Sequence, residues 1–123
     1  MKILSGVDII EINRIQECIS KNNDKFLEKI YTQKEIEYCE SRNIQKYQSY
    51  AARFAAKEAA YKALSEYIGS DCTWKDFEII NNEKGKPMLK LHFTIPYLKN
   101  LELTLSHCKE YAVAQVVGIY DEN

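Results

Sequence analysis

Glu58 and Lys62 stand four residues apart in Arg53-Phe54-Ala55-Ala56-Lys57-Glu58-Ala59-Ala60-Tyr61-Lys62. On a helix that spacing stacks a carboxylate and an ammonium on one face. Glu66 extends the face by a turn, alanines 56, 59, 60 and 63 lie opposite, and Arg53 with Lys57 forms a separate basic stripe. The pair has two readings. It is either a solvated ion pair worth ~0.2–0.5 kcal/mol, or a hard oxygen ligand beside a cation, a combination suited to magnesium and a phosphate. Asp8, within Gly6-Val7-Asp8-Ile9-Ile10, is a carboxylate in a β-branched run. Such a group either faces solvent from a half-buried strand or needs a hydrogen bond or a cation, because burying a bare charge is costly. Ser106-His107 ends the alternating stretch Leu101-Glu102-Leu103-Thr104-Leu105. There the histidine is either structural or placed at a strand end to meet a ligand.

These residues need elements to hold them. Ile3 to Ile12 reads as a strand, with Gly6 allowing close backbone approach. Helical spacing predicts a helix from Asn13 to Asn22, stopped by Asn22-Asn23, and a short one from Lys25 to Ile30. Thr32-Gln33-Lys34-Glu35 is a capping box that starts a helix at Gln33, running to about Arg42. Tyr47 to Ile68 carries alanines at 51, 52, 55, 56, 59, 60 and 63, which predicts a helix packed on several sides. Strands are expected over Trp74–Asn81, Pro87–Phe93, Leu101–Ser106 and Tyr111–Tyr120, the first two joined as a hairpin through Asn81-Asn82-Glu83-Lys84-Gly85-Lys86. Helices mainly in the first half and strands in the second indicate an α+β fold on a mostly antiparallel sheet.

The chain has 123 residues, 46% apolar and 28% charged, which fits one domain over 1–123 burying roughly two-thirds of its unfolded surface. Seventeen Lys and Arg against eighteen Asp and Glu give a net charge of −1, which excludes a strongly basic nucleic-acid coat. No apolar run approaches the ~18 residues of a membrane span. The first residues lead straight to Asp8 without the apolar segment of a signal peptide. Cys18, Cys39, Cys72 and Cys108 form no C-x-x-C pair, and His92 and His107 are the only histidines. The expectation is a soluble cytoplasmic protein with reduced thiols and no structural zinc.

Three stretches taken together are more specific than any one: Gly6-Val7-Asp8-Ile9, the segment Arg53 to Ala63 with its K-E-A-x-x-K core, and Ser106-His107-Cys108-Lys109-Glu110-Tyr111-Ala112-Val113-Ala114. With Phe77-Glu78-Ile79 followed by Gly85-Lys86-Pro87, their order and spacing resemble the holo-acyl-carrier-protein synthase family, the small bacterial 4′-phosphopantetheinyl transferases. The resemblance covers essentially the whole chain. It departs after the long helix, where relatives carry a glycine-rich turn and this chain has Ser65-Glu66-Tyr67.

The resemblance implies transfer of the 4′-phosphopantetheine arm of coenzyme A to a serine of apo acyl carrier protein, releasing adenosine 3′,5′-bisphosphate, in the service of fatty acid biosynthesis. It implies Asp8 and Glu58 as magnesium ligands. Glu58, directly or through a water on the metal, would take the serine proton, and Lys62 would neutralise, or also protonate, the departing phosphate. For the rest of coenzyme A it implies Arg53, His107, Lys46 and Lys86 as cations, with Gly85 and Pro87 beside the adenine. Lys46 and Lys86 read equally well as solvated loop charges. Arg14, Lys21 and Lys25 would meet the acidic carrier protein, diluted by Glu11 and Glu17. The resemblance also implies a homotrimer with active sites at subunit interfaces. Two rival readings use the same residues: a noncatalytic binding module with an ordinary ion-pair network, and a magnesium-dependent phosphoesterase with water as nucleophile.

Overall fold

The computed structural model describes residues 1–22 and 24–123. In chain order they form β1 (Lys2–Glu11), α1 (Ile12–Asn22), α2 (Asp24–Ile30), α3 (Gln33–Ser41), α4 (Lys46–Leu64), β2 (Phe77–Asn81), β3 (Pro87–Leu91), β4 (Leu98–His107) and β5 (Tyr111–Tyr120). The fold is α+β, with a three-stranded antiparallel sheet in the order β1-β5-β4 and a two-stranded antiparallel sheet β2-β3.

The alanine-rich helix is the centre of the molecule. Ala55, Ala56, Ala59 and Ala60 have no solvent exposure, and α4 packs across β1 and β5 on one side and against α1 and α3 on another. Alanine permits this because it brings backbones close while retaining the best helix propensity. Two apolar clusters result. Leu4, Leu64, Phe77, Ile79, Leu103 and Val116 pack with the alanines between helix and sheets. Ile12, Ile15, Ile30, Tyr31, Cys39 and Tyr50 fill the space under α1–α3.

The Thr32 capping box forms as expected, with Glu35 accepting the Thr32 amide. Four boundaries differ from the sequence expectation by two residues or more. The long helix stops at Leu64, and Ser65–Tyr67 tightens into a 3₁₀ turn, tied down by a Lys2–Glu66 ion pair and by Tyr67 stacking on Tyr120 at 4.4 Å. Trp74–Asp76 is a 3₁₀ turn rather than the start of a strand, because Asp76 accepts the Thr73 amide in a second capping box. β3 stops at Leu91, short of Phe93. β4 begins at Leu98, three residues early, through an irregular register between Leu98 and Asn100. Of the predicted Asn22-Asn23 stop, Asn22 is the last residue of α1 and Asn23 lies outside the described residues.

Candidate active site

Gly6 sets the distance between β1 and α4. A Cβ placed there would overlap the Ala59 carbonyl oxygen and lie 2.7 Å from the Ala63 nitrogen, both backbone atoms of the helix. Only glycine lets the strand lie this close. Two residues on, Asp8 projects from the same strand face as Gly6 and meets the helix one turn past Glu58. The Lys62 ammonium is 3.2 Å from Asp8 Oδ1 and donates to the Val7 carbonyl at 3.0 Å. Asp8 is largely enclosed, with its side chain 16% exposed, whereas Lys62 is 52% exposed.

Glu58 completes the group. Burial, and then the charge of Asp8, push its carboxyl above its ordinary value, and the Lys62 ammonium opposes them. Two carboxylates close enough to feel each other, with one cation between them and solvent, form a site short of positive charge. The donors are hard oxygens, and two carboxylates with open positions left over suit magnesium. No group of three or more His, Cys, Asp and Glu side chains among the described residues offers a fuller protein cage.

Beside Glu58 opens a cavity of about 240 Å³, lined by Lys57, Tyr61, Cys72, Thr73, Trp74 and Phe77 as well as Glu58 itself. The sequence reading did not find this wall. Outside α4 it is built from Cys72, Thr73, Trp74 and Phe77, apolar or small side chains with no catalytic pattern, which meet the helix through the Phe54–Trp74 stack and the packing of Phe77 against its alanines.

The other expected site residues divide into groups. Arg53 is on α4, buried to 4% exposure, with its guanidinium 4.2 Å from the Tyr38 ring centre and donating to Asn81 Oδ1 at 2.8 Å. Asn81 pairs with Pro87 in the β2-β3 hairpin, so Arg53, Gly85, Lys86 and Pro87 belong to one neighbourhood. Gly85 takes φ +82 in the turn, where a Cβ would meet nothing within 4 Å, and Lys86 lies 3.5 Å from Glu102. Lys46, the first residue of α4, pairs with Glu40 at 3.3 Å. By helical rise it is about 18 Å from Glu58. His107 shares the α4-facing side of the sheet with Asp8, since the rows Asp8–Ala114–Leu105 and Ile10–Ala112–His107 are adjacent. Strand spacing puts it about 12 Å from Asp8 within one chain. Arg14 and Lys21 on α1 and Lys25 on α2 are exposed.

Lys57 corrects the reading of a basic stripe. Its side chain has no exposure, and its ammonium contacts Glu35 Oε1 at 2.8 Å, the Phe77 carbonyl at 2.6 Å and the Trp74 carbonyl at 3.1 Å. Arg53 and Lys57 are both interior cations.

A family model for the 4′-phosphopantetheinyl transferase superfamily matches residues 5–116, a span that includes every member of the Asp8–Glu58–Lys62 group. The chain belongs to that superfamily. A holo-[acyl-carrier-protein] synthase of Ruminiclostridium cellulolyticum is 46% identical over 123 residues, covering 95% of this chain and 92% of the relative. Among solved structures, the holo-(acyl-carrier-protein) synthase of Bacillus anthracis in complex with CoA (3′,5′-ADP) matches with a TM-score of 0.76 and 40% identity, over 94% of each chain. The Helicobacter pylori synthase in complex with coenzyme A matches with a TM-score of 0.82 and 32% identity, over 94% of this chain and all of the other. This member of the superfamily is thus similar over nearly its whole length to enzymes that have been seen holding coenzyme A.

Proposed function

We propose that this phosphopantetheinyl transferase moves the 4′-phosphopantetheine arm of coenzyme A to a serine hydroxyl of apo acyl carrier protein. The observation that carries the reading is the Asp8–Glu58–Lys62 group, drawn together by the glycine contact between β1 and α4. In the reaction the serine oxygen forms a bond to the phosphorus that bears the pantetheine arm. The pyrophosphate bridge to adenosine 3′,5′-bisphosphate breaks, and the serine proton leaves. Asp8 and Glu58 would hold magnesium, which when bound supplies charge neutralisation for the pyrophosphate.

The chain's own groups do the rest. Glu58, with a carboxyl raised by burial and by Asp8, is a stronger base than an ordinary carboxylate and accepts the serine proton. Lys62 is anchored by two of its three donors, to Val7 and Asp8, and turns the third toward the phosphate whose charge grows as the bridge opens. Lys86, Lys46 and His107 serve the remaining phosphates of coenzyme A, with Gly85 and Pro87 beside the adenine, and the buried Arg53 serves them through its hold on Asn81 at the base of that hairpin. Arg14, Lys21 and Lys25 meet the acidic carrier protein.

The face of the three-stranded sheet turned away from α4 supports a further part of the reading. Ile3, Val7, Ile9 and Val117 are exposed there, an apolar band of the kind that marks an interaction surface. It serves assembly of a homotrimer whose subunits complete one another's coenzyme A sites. This joins Lys46 and His107 to carboxylates that they stand far from within one chain. The enzyme acts in the cytoplasm, in fatty acid biosynthesis. Ile9→Glu is expected to abolish the trimer in light scattering and to lower transfer with it.

The test of the reaction is intact mass after mixing the protein with coenzyme A, magnesium and an apo carrier protein. Transfer adds ~340 Da to the carrier, the mass of the arm whose phosphorus is attacked, and Asp8→Ala and Glu58→Ala each lose it by at least ~10²-fold. Coenzyme A consumed with no change in the carrier would identify a hydrolase. Wild-type transfer in either variant would remove the carboxylates from the mechanism.

A further inference from the structure

A lysine with no solvent exposure is rare unless its charge is paired, and Lys57 is paired completely. All three of its donors are taken, by Glu35 Oε1 and by the carbonyls of Trp74 and Phe77. It therefore has no N–H left for a phosphate, although it lines the cavity beside Glu58. Stability alone does not explain it, because buried ion pairs are often no better than apolar residues of the same volume.

Its geometry gives a different reason. Glu35 uses Oε1 for Lys57 and for the Thr32 amide, and Oε2 for the Ile79 amide at 2.9 Å. One ammonium thus fastens the start of α3, the 3₁₀ turn at Trp74 and the first residue of β2 to α4, next to Glu58. Trp74 and Phe77, held by their backbone oxygens, turn their side chains into the cavity wall with Cys72, Thr73 and Tyr61. Trp74 is also stacked on Phe54, with ring centres 5.0 Å apart.

We propose that Lys57 is a positioning residue for substrate binding: by holding the Trp74 and Phe77 carbonyls it fixes the cavity wall against which coenzyme A is seated beside Glu58. The proposal rests on Glu58 belonging to the site, as read above. A wall contacts the bound substrate about equally before and at the transition state, so its loss weakens binding and leaves turnover at saturation little changed.

Trp74 is the only tryptophan of the chain, so its fluorescence reports this wall directly. In Lys57→Met, which nearly conserves volume, we expect a cooperative melt and Trp74 emission that is red-shifted and more readily quenched by acrylamide. The Kd for coenzyme A rises at least tenfold, and kcat at saturating coenzyme A stays within about threefold of wild type. In a Trp74→Ala background, with binding followed by calorimetry, Lys57→Met adds little further loss, because the two act through one wall.

A folded Lys57→Met variant with wild-type Kd overturns the proposal, and so do additive effects of the two substitutions. Should the single variant fail to fold, Lys57→Met/Glu35→Gln, which leaves no unpaired charge inside, carries the same test. Failure of both to fold overturns it in favour of a purely structural ion pair. Glu58→Ala keeps the two claims apart. Undiminished transfer there would overturn the site reading, whereas the Lys57 claim is read from coenzyme A binding and Trp74 emission.

Discussion

Substituting Gly6 by alanine perturbs the site without touching a reacting group. The new Cβ would be 2.7 Å from the Ala63 nitrogen, and ordinary contact begins at 3.4 Å. The strand must therefore retreat from α4 by roughly 0.7 Å on that count alone, in an interior packed as densely as a crystal. The overlap with the Ala59 carbonyl demands more, and neither obstacle is the flexible end of a side chain. Overpacking of this kind costs about 1–3 kcal/mol, which for a chain of this length lowers Tm by roughly 4–15 °C.

Activity should suffer more than stability. Asp8 is two residues further along the same face, and its carboxylate must meet Glu58 and Lys62 on the helix from which the strand has been pushed. Misplacement of a reacting centre by about 1 Å can lose 10²-fold in rate, so kcat/KM for transfer is expected to fall by about that factor. Gly118→Ala on β5 is the control. Its Cβ would approach mainly the Leu101 side chain at 3.1 Å and the Asn100 carbonyl at 3.3 Å, contacts that yield by a few tenths of an ångström. It should melt slightly lower with near-normal transfer. The assays are steady-state transfer and thermal melting. If Gly6→Ala keeps wild-type kcat/KM, the closeness of β1 and α4 is not what assembles the site.

Lys62→Ala should lower kcat by roughly 10²-fold with only a modest change in coenzyme A affinity, while Tm barely moves, because a pair whose cation is half in solvent contributes at most ~1 kcal/mol. Lys62→Arg should rescue it in part, as seen in the same kinetics. Arg14→Glu should raise KM for the carrier protein and weaken its salt dependence while leaving KM for coenzyme A unchanged; equal losses for both substrates would refute the assignment. Glu78 is held below its ordinary pKa of 4.5: burial pushes it up, but hydrogen bonds from Thr32 and His92 outweigh that. A carboxylate depressed in the folded state stabilises the protein above about pH 4.5 and loses that contribution as pH falls through the lowered value. Melts of Glu78→Gln should therefore show a shallower acid loss than wild type; identical slopes would refute this.

Much of the candidate site, as a grouping of side chains, was legible because its signals are local. A capping box acts across three residues, and Thr32–Glu35 forms as written. Asp8, Glu58 and Lys62 could be singled out because a carboxylate in a β-branched run and an i,i+4 ion pair are both readable from spacing. The interior cations were not, because helical periodicity gives faces and not what covers them. Tyr50, Arg53, Lys57 and Leu64 lie on one stripe of α4, and all are buried. The two apolar members flanking the two charged ones were the available signal, together with the alanines along the neighbouring face. The cavity wall escaped for a different reason. Cys72–Phe77 reaches α4 through the Lys57 contacts, which are long-range and have no period; the turn itself is set by a local Thr73–Asp76 capping box that the reading of Trp74–Asn81 as a strand passed over.

The two lysines of the K-E-A-x-x-K segment show how one residue type can do opposite work five positions apart. Five residues turn a helix by about 500°, or 140° beyond a full turn, so Lys57 and Lys62 point to different surroundings. Lys57 points at α3 and β2, where Glu35 and two carbonyls consume its three donors and its charge is closed off from any ligand. Burial holds its pKa below the ordinary lysine value even against the pull of Glu35. Lys62 points at β1, where Val7 and Asp8 take two donors and leave the ammonium half in solvent. A cation fixed at two points, with one donor open, loses little freedom when a phosphate arrives, the preorganisation that electrostatic catalysis needs. Glu58, between them on the helix, borders the cavity that Lys57 also lines and feels the charge of Lys62. On the proposed reading, the segment joins a closed cation that shapes the seat of the substrate to an open one that meets its charge.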